Sequence, residues 1–386
     1  MILLTKTGGT NMQFRDLKKQ YEVLKPAIDE AIQTVISDTA FISGPQVMEL
    51  EEQLASYVGR KYCISCGNGT DALSMVLMAW DIKEGDAVFI PDFTFFATGE
   101  VVSFEGATPV FVDVDGKTFN MEPVKLEEAI QAVISEGKLI PKVVIPVDLF
   151  GLPADYQAIQ EIAKRYGLKV LEDGAQGFGG QIGLQKACSY GDAAITSFFP
   201  AKPLGCYGDG GAIFTDDDEM AVYLRSVQAH GKGSYKYDNE RIGWNSRLDT
   251  IQAAIMLPKL KAFEEYELDK VNEAAKTYSE LLRSIVKTPY TPKGYLSSWA
   301  QYTIQLQNQD ERQRLQEYLK TKDIPTMVYY PIPMHKQKAF AELKIFQECP
   351  VTEQLCKTVL SLPIHPYLEE SDIEFVIEEI NNFYNK

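Results

Sequence analysis

Three histidines and six cysteines in 386 residues leave little material for a metal centre or a disulfide framework. His230, His335 and His365 stand far apart, with no pair at the i, i+4 spacing that puts two imidazoles on one helix face, and no metal is expected. Cys63-Ile-Ser-Cys66 has redox or ligand spacing, but no second Cys or His pair accompanies it. On a strand, residues three apart point to opposite faces. Both are read as buried structural thiols in a reducing, cytoplasmic setting. Long apolar runs are missing too: nothing approaches the ~20 residues that cross a bilayer, and the N-terminus shows no secretory core. Basic residues are outnumbered, 38 Lys and Arg against 54 Asp and Glu. The formal charge of −16 argues against nucleic acid or an anionic membrane as the main partner. A small anionic substrate remains open, because local Arg and Lys can still line a pocket.

What the chain does have is apolar content, 45%, enough to bury a large core in two domains. Residues 14–38 show one apolar stripe at helical spacing, interrupted by Pro26, which predicts a kink or two pieces. A second helix is expected over 47–58. Strands at 61–65, 87–90, 109–114, 143–147, 169–172 and 193–199 then alternate with helices near 71–80, 95–104, 124–134 and 155–166. That is the pattern of a mostly parallel sheet covered on both faces. A long helical region runs from 246 to about 285, punctuated by Pro258. A second unit follows, with strands at 301–306 and 326–330 and helices at 311–320 and 370–383.

The most informative stretch is Thr196-Ser-Phe-Phe-Pro-Ala-Lys202-Pro-Leu-Gly-Cys-Tyr-Gly-Asp-Gly-Gly211. It sets one lysine between a buried strand and a glycine-rich loop, at the strand end where α/β sheets present reactive groups. A lysine in such a site loses hydration, its pKa falls, and its amine is free to condense with an aldehyde. Pyridoxal 5′-phosphate is the aldehyde this points to, provided the chain also offers a carboxylate for the ring nitrogen and a cradle for the phosphate. Lys169-Val-Leu-Glu-Asp173-Gly-Ala-Gln176 is a strand ending in acids, and Cys66-Gly-Asn-Gly-Thr70-Asp is a glycine turn opening a helix, where N–H groups can meet an anion. Singly, each has a plainer explanation: a solvated lysine, a capping acid, a turn with an N-cap. Three complementary parts in order, each after a strand, outweigh those.

With these residues the chain resembles the DegT/DnrJ-type sugar aminotransferases. The signposts are Gly67-Asn-Gly-Thr-Asp-Ala-Leu73, Pro91-Asp-Phe-Thr-Phe-Phe-Ala-Thr98, Glu172-Asp-Gly-Ala-Gln176, Ser197-Phe-Phe-Pro-Ala-Lys-Pro-Leu-Gly205, Gly208-Asp-Gly-Gly211 and Asn245-Ser-Arg-Leu-Asp-Thr-Ile-Gln-Ala-Ala254. The resemblance covers nearly the whole chain from Met12. It implies the aspartate aminotransferase-like α/β fold (PLP fold type I). A large cofactor-binding domain would span 12–258 and a smaller α/β domain 259–386, with an antiparallel strand at 208–215. Residues 1–11 match nothing in the family and are expected to be a disordered extension.

By position, the resemblance implies that Lys202 bonds the cofactor's aldehyde and shuttles the proton, Asp173 pairs with the ring nitrogen, and Gln176 lies near the phenolic oxygen. Phe95 would stack on the ring. Gly69, Thr70 and Ser197 would hold the phosphate, with Asn245 reaching it from the other subunit of a homodimer. Within the family, Tyr62-Cys-Ile-Ser-Cys66, Leu204–Phe214, Tyr330-Pro-Ile-Pro333 and Leu362-Pro-Ile-His-Pro-Tyr367 are most similar to enzymes that aminate C3 of a UDP-linked 3-oxo-N-acetylglucosaminuronate. These use L-glutamate and serve bacterial surface-polysaccharide (lipopolysaccharide, O-antigen) synthesis. Arg247 would then read the sugar carboxylate, for which guanidinium is well shaped; capping or bracing the long helix through Asp249 is its other reading. Tyr329 stands where that subgroup often has His, and Tyr329, Tyr330 and His335 are candidates to line the sugar cleft. A local hydrogen bond is an equal reading for His335. The alternatives are a neutral 3- or 4-keto nucleotide sugar as substrate, or a cofactor-binding regulator without catalysis. Lys202 argues against a dehydratase, since dehydrating relatives carry histidine there.

Overall fold

The computed structural model describes residues 12–235 and 237–385, so the expected extension at 1–11 lies outside the described residues. Helices α1 (Leu17–Asp38) and α2 (Pro45–Val58) lead into β1 (Tyr62–Cys66) and α3 (Gly69–Ala79). The chain continues through β2 (Asp86–Pro91), α4 (Ala97–Phe104), β3 (Thr108–Val112), α5 (Pro123–Glu136), β4 (Ile140–Val144), α6 (Tyr156–Tyr166) and β5 (Lys169–Asp173). Two short strands, β6 (Gln181–Ile182) and β7 (Gln185–Lys186), precede β8 (Ala193–Ser197), β9 (Gly211–Thr215) and α7 (Asp218–Val227). Seven strands form the central sheet in the order β1-β9-β8-β5-β4-β2-β3. β9 runs antiparallel to both neighbours and the remaining strands are parallel to one another.

Alternation along these strands feeds a core on each face. On β2, Val88 and Ile90 pack with Leu73, Val76 and Val101 from α3 and α4 on one side, while Ala87 and Phe89 meet Leu126, Ile130 and Ile159 from α5 and α6 on the other. α1 is one continuous helix with Pro26 inside it, so the break into two pieces is absent. Pro26 is exposed, and the Glu22 carbonyl it leaves without a helical partner is on an exposed residue open to water.

From residue 250 the chain forms α8 (Thr250–Ala262), a π-helical turn at Phe263–Glu267, and α9 (Leu268–Leu282). β10 (Tyr295–Leu296) joins β6 and β7 in a small sheet. β11 (Tyr302–Gln305), α10 (Gln309–Lys320), α11 (Pro350–Thr358), β12 (Val359–Leu362) and α12 (Glu370–Tyr384) complete the chain. A separate apolar cluster joins Tyr278, Tyr302, Leu315, Leu360 and Val376.

The strand expected at 326–330 does not form. That segment touches the sheet only through the bridge of Met327 to Ser361, and the partner of β11 is β12. The sequence reading missed β12 because its four residues run directly on from α11, where a short apolar stretch reads equally as a helix end.

Behind β5, Glu172 and Asp148 form a fully buried carboxyl pair. Glu172 accepts backbone N–H groups from Cys188 and, at 2.6 Å, Tyr190; Asp148 accepts from Ala154 N at 3.0 Å and the Tyr156 hydroxyl at 2.7 Å. Burial, then the charge of Asp148, hold the Glu172 pKa well above the carboxylate range; burial pushes Asp148 up to about 7. The folded chain therefore holds more protons here than the unfolded chain, and this site's contribution to stability falls as pH rises from the ordinary carboxylate range through the folded values. Glu172→Gln loses an acceptor for Tyr190 at every pH but removes the Glu172 share of this proton linkage. Its stability in denaturant titrations should gain on wild type between about pH 5 and pH 8; a constant difference would contradict the pairing.

Candidate active site

β8 ends at Ser197, and the chain folds back through Lys202 N to Phe199 O (2.8 Å) and Cys206 N to Phe198 O (2.8 Å) before entering β9. This sets Lys202, half-buried, beyond the C-terminal edge of the sheet. Burial lowers its amine pKa to about 8; the Asp173 carboxylate opposes that shift and the Arg15 guanidinium adds to it.

Asp173 closes β5, next to β8 in the sheet, and is buried. Its Oδ2 accepts from Thr98 Oγ1 at 2.9 Å and its Oδ1 from Ala175 N at 3.2 Å. Burial pushes this carboxyl up, while Thr98, the Ala175 N–H and Lys202 pull it back. Thr98 lies within the quoted Pro91–Thr98 motif, but only the tertiary contact reveals its partner. Glu172, one residue earlier, faces the opposite side of the strand.

Gln176 is buried, accepts from Phe150 N at 2.9 Å and donates through Nε2 to the Tyr330 hydroxyl at 3.1 Å. The Tyr330 ring lies 6.0 Å from Phe93 and 6.4 Å from Phe95, whose own ring is 55% exposed and open to a planar ligand. Tyr329 packs edge-on to Phe14 at 6.2 Å.

The register of β9 builds the third part. Gly211 pairs with Cys66 on one side and Ser197 on the other. The turn after β1 and the end of β8 therefore open at one level. Asn68 caps α3 by accepting from Asp71 N at 2.8 Å. A Cβ on Gly69 would stand 2.9 Å from Ser197 Cβ, and one on Gly211 would stand 2.6 Å from the Asn68 carbonyl carbon and oxygen. Glycine alone permits this approach, and with the half-buried Thr70 and Ser197 it makes a small anion cradle at a helix N-terminus. Amine, buried carboxylate, exposed ring and cradle fit the aldehyde, ring nitrogen, ring face and phosphate of pyridoxal phosphate.

The remaining candidates are Asn245, Arg247 and His335. Asn245 is exposed and accepts from Arg247 Nη2, and Ser246 between them accepts from Gly67 N at 2.9 Å and donates to Asp71 Oδ2 at 2.6 Å. That loop thus borders the cradle turn. His335 is turned onto Asp92: its Nδ1 lies 2.7 Å from Oδ2 and its backbone N donates to Oδ1 at 2.8 Å. Asp92 raises the His335 pKa. Cys349 completes a group of metal-ligand atom types within 4.8 Å of one another, and the Asp92–His335 contacts clamp the loop that follows Tyr330.

The sequence profile of the DegT/DnrJ/EryC1/StrS aminotransferase family matches residues 23–381. The chain belongs to that family. It is 46% identical over 96% of its length, and all of the relative's, to a UDP-2-acetamido-2-deoxy-3-oxo-D-glucuronate aminotransferase of Pseudomonas aeruginosa. It is 40% identical to a UDP-N-acetyl-3-dehydro-alpha-D-glucosamine 3-aminotransferase of Acidithiobacillus ferrooxidans, covering 95% of this chain and 96% of that one. A crystal structure of a family aminotransferase from Brucella abortus superposes with a TM-score of 0.95 at 48% identity, covering 97% of this chain and all of the other. The fold is that of the pyridoxal-phosphate aminotransferases, the cofactor is pyridoxal phosphate, and the activity is sugar amino transfer.

Gly69→Ala should weaken pyridoxal phosphate binding about tenfold or more, equivalent to ~1.4 kcal/mol, in equilibrium titrations of the apoprotein. Gly116→Ala, whose added Cβ makes only an ordinary 3.4 Å contact, should bind as wild type does. Equal affinity for the Gly69 variant would remove it from the cradle.

Proposed function

We propose that this protein transfers the amino group of L-glutamate to C3 of UDP-2-acetamido-2-deoxy-3-oxo-glucuronate, in the cytoplasm, for bacterial surface-polysaccharide synthesis. Amino transfer to nucleotide sugars is the family's activity. The 46% identity to the P. aeruginosa enzyme supports the uronate. The 40% identity to the A. ferrooxidans enzyme keeps a neutral 3-keto sugar as the second reading. The observation that carries the catalytic part is the placement of Lys202 and the buried Asp173 at the ends of the neighbouring strands β8 and β5, beside the glycine cradle at Gly69 and Ser197.

Bound pyridoxal phosphate supplies an electron sink and carries the amino group between substrates. The protein's share is orientation and proton management. Asp173 holds a proton at the ring nitrogen. Lys202 Nζ would carry the proton between the substrate carbon that bears the transferred nitrogen and the cofactor's C4′ carbon, in both half-reactions. Gln176 and Tyr330 fix the ring's oxygen side, and Phe95 covers one ring face and excludes water. Gly69, Thr70 and Ser197 fix the phosphate, with Asn245 of a second copy completing it in a homodimer. Arg247, Tyr329 and Tyr330 receive the sugar. We assign 12–258 to a large cofactor-binding unit and 259–386 to a small one.

Lys202→Ala should fold normally, because a desolvated lysine is a cost to folding, yet lose at least about a thousandfold in turnover. In the wild type, capture of pyridoxal phosphate by the apoprotein should accelerate as pH rises through about 8, where the amine sheds its proton. A flat profile from pH 6 to about 9 would contradict this assignment.

Arg247→Ala should raise KM for the 3-oxo-uronate about thirtyfold or more through loss of a charge-assisted contact. The glutamate half-reaction should be spared, and Lys at 247 should restore part of the loss. An unchanged sugar half-reaction would favour the neutral keto sugar instead.

A further inference from the structure

Arg15 belongs to none of the motifs that mark the site. It lies two residues before α1, whose N-cap Asp16 accepts from Lys19 N at 2.8 Å. Its guanidinium Nη2 donates to the Lys202 carbonyl at 2.8 Å and to the Pro203 carbonyl at 3.2 Å. These are successive carbonyls of the turn that carries the reactive lysine. A planar, fixed-geometry cation holding both of them restrains the peptide between them.

The guanidinium also feels the charge of a buried acid. Glu267, the last residue of the π-helical turn between α8 and α9, is buried and faces Arg15 electrostatically. Glu267 accepts from Gln20 Nε2 at 2.9 Å and from the Tyr367 hydroxyl at 2.5 Å. Gln20 lies in the first turns of the same helix that follows Arg15, so α1 is tied to Glu267. The network thus links the Lys202 turn, the N-terminal helix, the π-turn and the segment before α12. A π-turn within a long helix often marks a functional position.

We propose that Arg15 is a positioning residue for Lys202: by holding the carbonyls of Lys202 and Pro203, it keeps the lysine side chain directed at Asp173 and the cofactor aldehyde. The proposal rests on the assignment of Lys202 as the cofactor lysine. Charge adds to the geometry. The groups that face Lys202 are Asp173, which favours its ammonium form, and Arg15, which disfavours it. Arg15 in turn faces Glu267, and it bears on His365 and Lys259, whose charged forms it disfavours. Lys259, on α8, is buried with its ammonium 4.8 Å from the Tyr207 ring centroid.

The test uses the full chain as apoprotein and as the pyridoxal phosphate complex, with Arg15→Met and Arg15→Lys. Borohydride reduction and peptide mapping of the wild-type complex first establish whether the cofactor is fixed to Lys202. A label elsewhere overturns the Lys202 assignment itself. With the label on Lys202, Arg15→Met should slow cofactor capture near neutral pH several-fold, and the pH midpoint of the capture rate should move up, because the cation that disfavours the Lys202 ammonium is gone. Arg15→Lys restores the charge without the two-carbonyl hold. Its midpoint should return towards wild type, while capture stays several-fold slow at every pH. Melting temperatures of the apoproteins separate this from a general loss of structure. Should Arg15→Met fail to fold, Arg15→Lys decides: slower capture at an unchanged melting temperature supports the role. Capture within twofold of wild type, in either folded variant, overturns it.

Discussion

The arrangement depends on one electrostatic constraint: an amine and a carboxylate held near each other with little water. Burial drives Lys202 and Asp173 each towards the neutral form, and each pulls the other back towards charge. Such a balance survives only if the backbone under both groups is fixed. The parallel pairing of β5 and β8, with Asp173 opposite Ile195, provides that from the sheet side. Thr98 on α4 and the Ala175 N–H hold the carboxylate from the other.

The antiparallel strand β9 solves a second problem. An anion needs backbone N–H groups at a helix N-terminus, and here that helix starts just after β1 while the lysine follows β8. Inserting β9 between those strands brings Gly211 level with both ends, and the glycines at 69 and 211 allow the turns to meet without side chains in the way. The cradle and the lysine are thereby set at the same edge of the sheet, at the distance the sheet spacing imposes.

Two clamps brace this edge from elements distant in sequence. Asp92, just beyond β2, grips His335 by backbone and side chain, and so fixes the loop that offers the Tyr330 hydroxyl to Gln176. On the opposite side Glu267 gathers Gln20 and Tyr367 at the π-turn, next to the guanidinium that holds the Lys202 carbonyl. Elements distant in sequence are thus tied to the two sides of the same site.

Periodicity by itself determined the alternating strands and helices of the sheet, because each strand buries a local apolar run and each helix a local stripe. The glycine turn, the acid-ended strand and the lysine loop were equally legible, since each is a short motif whose chemistry follows from its own residues. Tertiary structure alone decided what depends on contacts between distant segments. It showed that Glu172 turns away to meet Asp148 while Asp173 faces Lys202, and that Thr98 supports the carboxylate. It exchanged the expected strand at 326–330 for β12, because Tyr329 and Tyr330 find aromatic partners outside the sheet while Val359–Leu362 lies antiparallel to β11. It also brought Arg15 to a carbonyl 187 positions away. No local pattern encodes such a contact: hydrogen-bond partners so far apart are chosen by packing, after the local structure has formed.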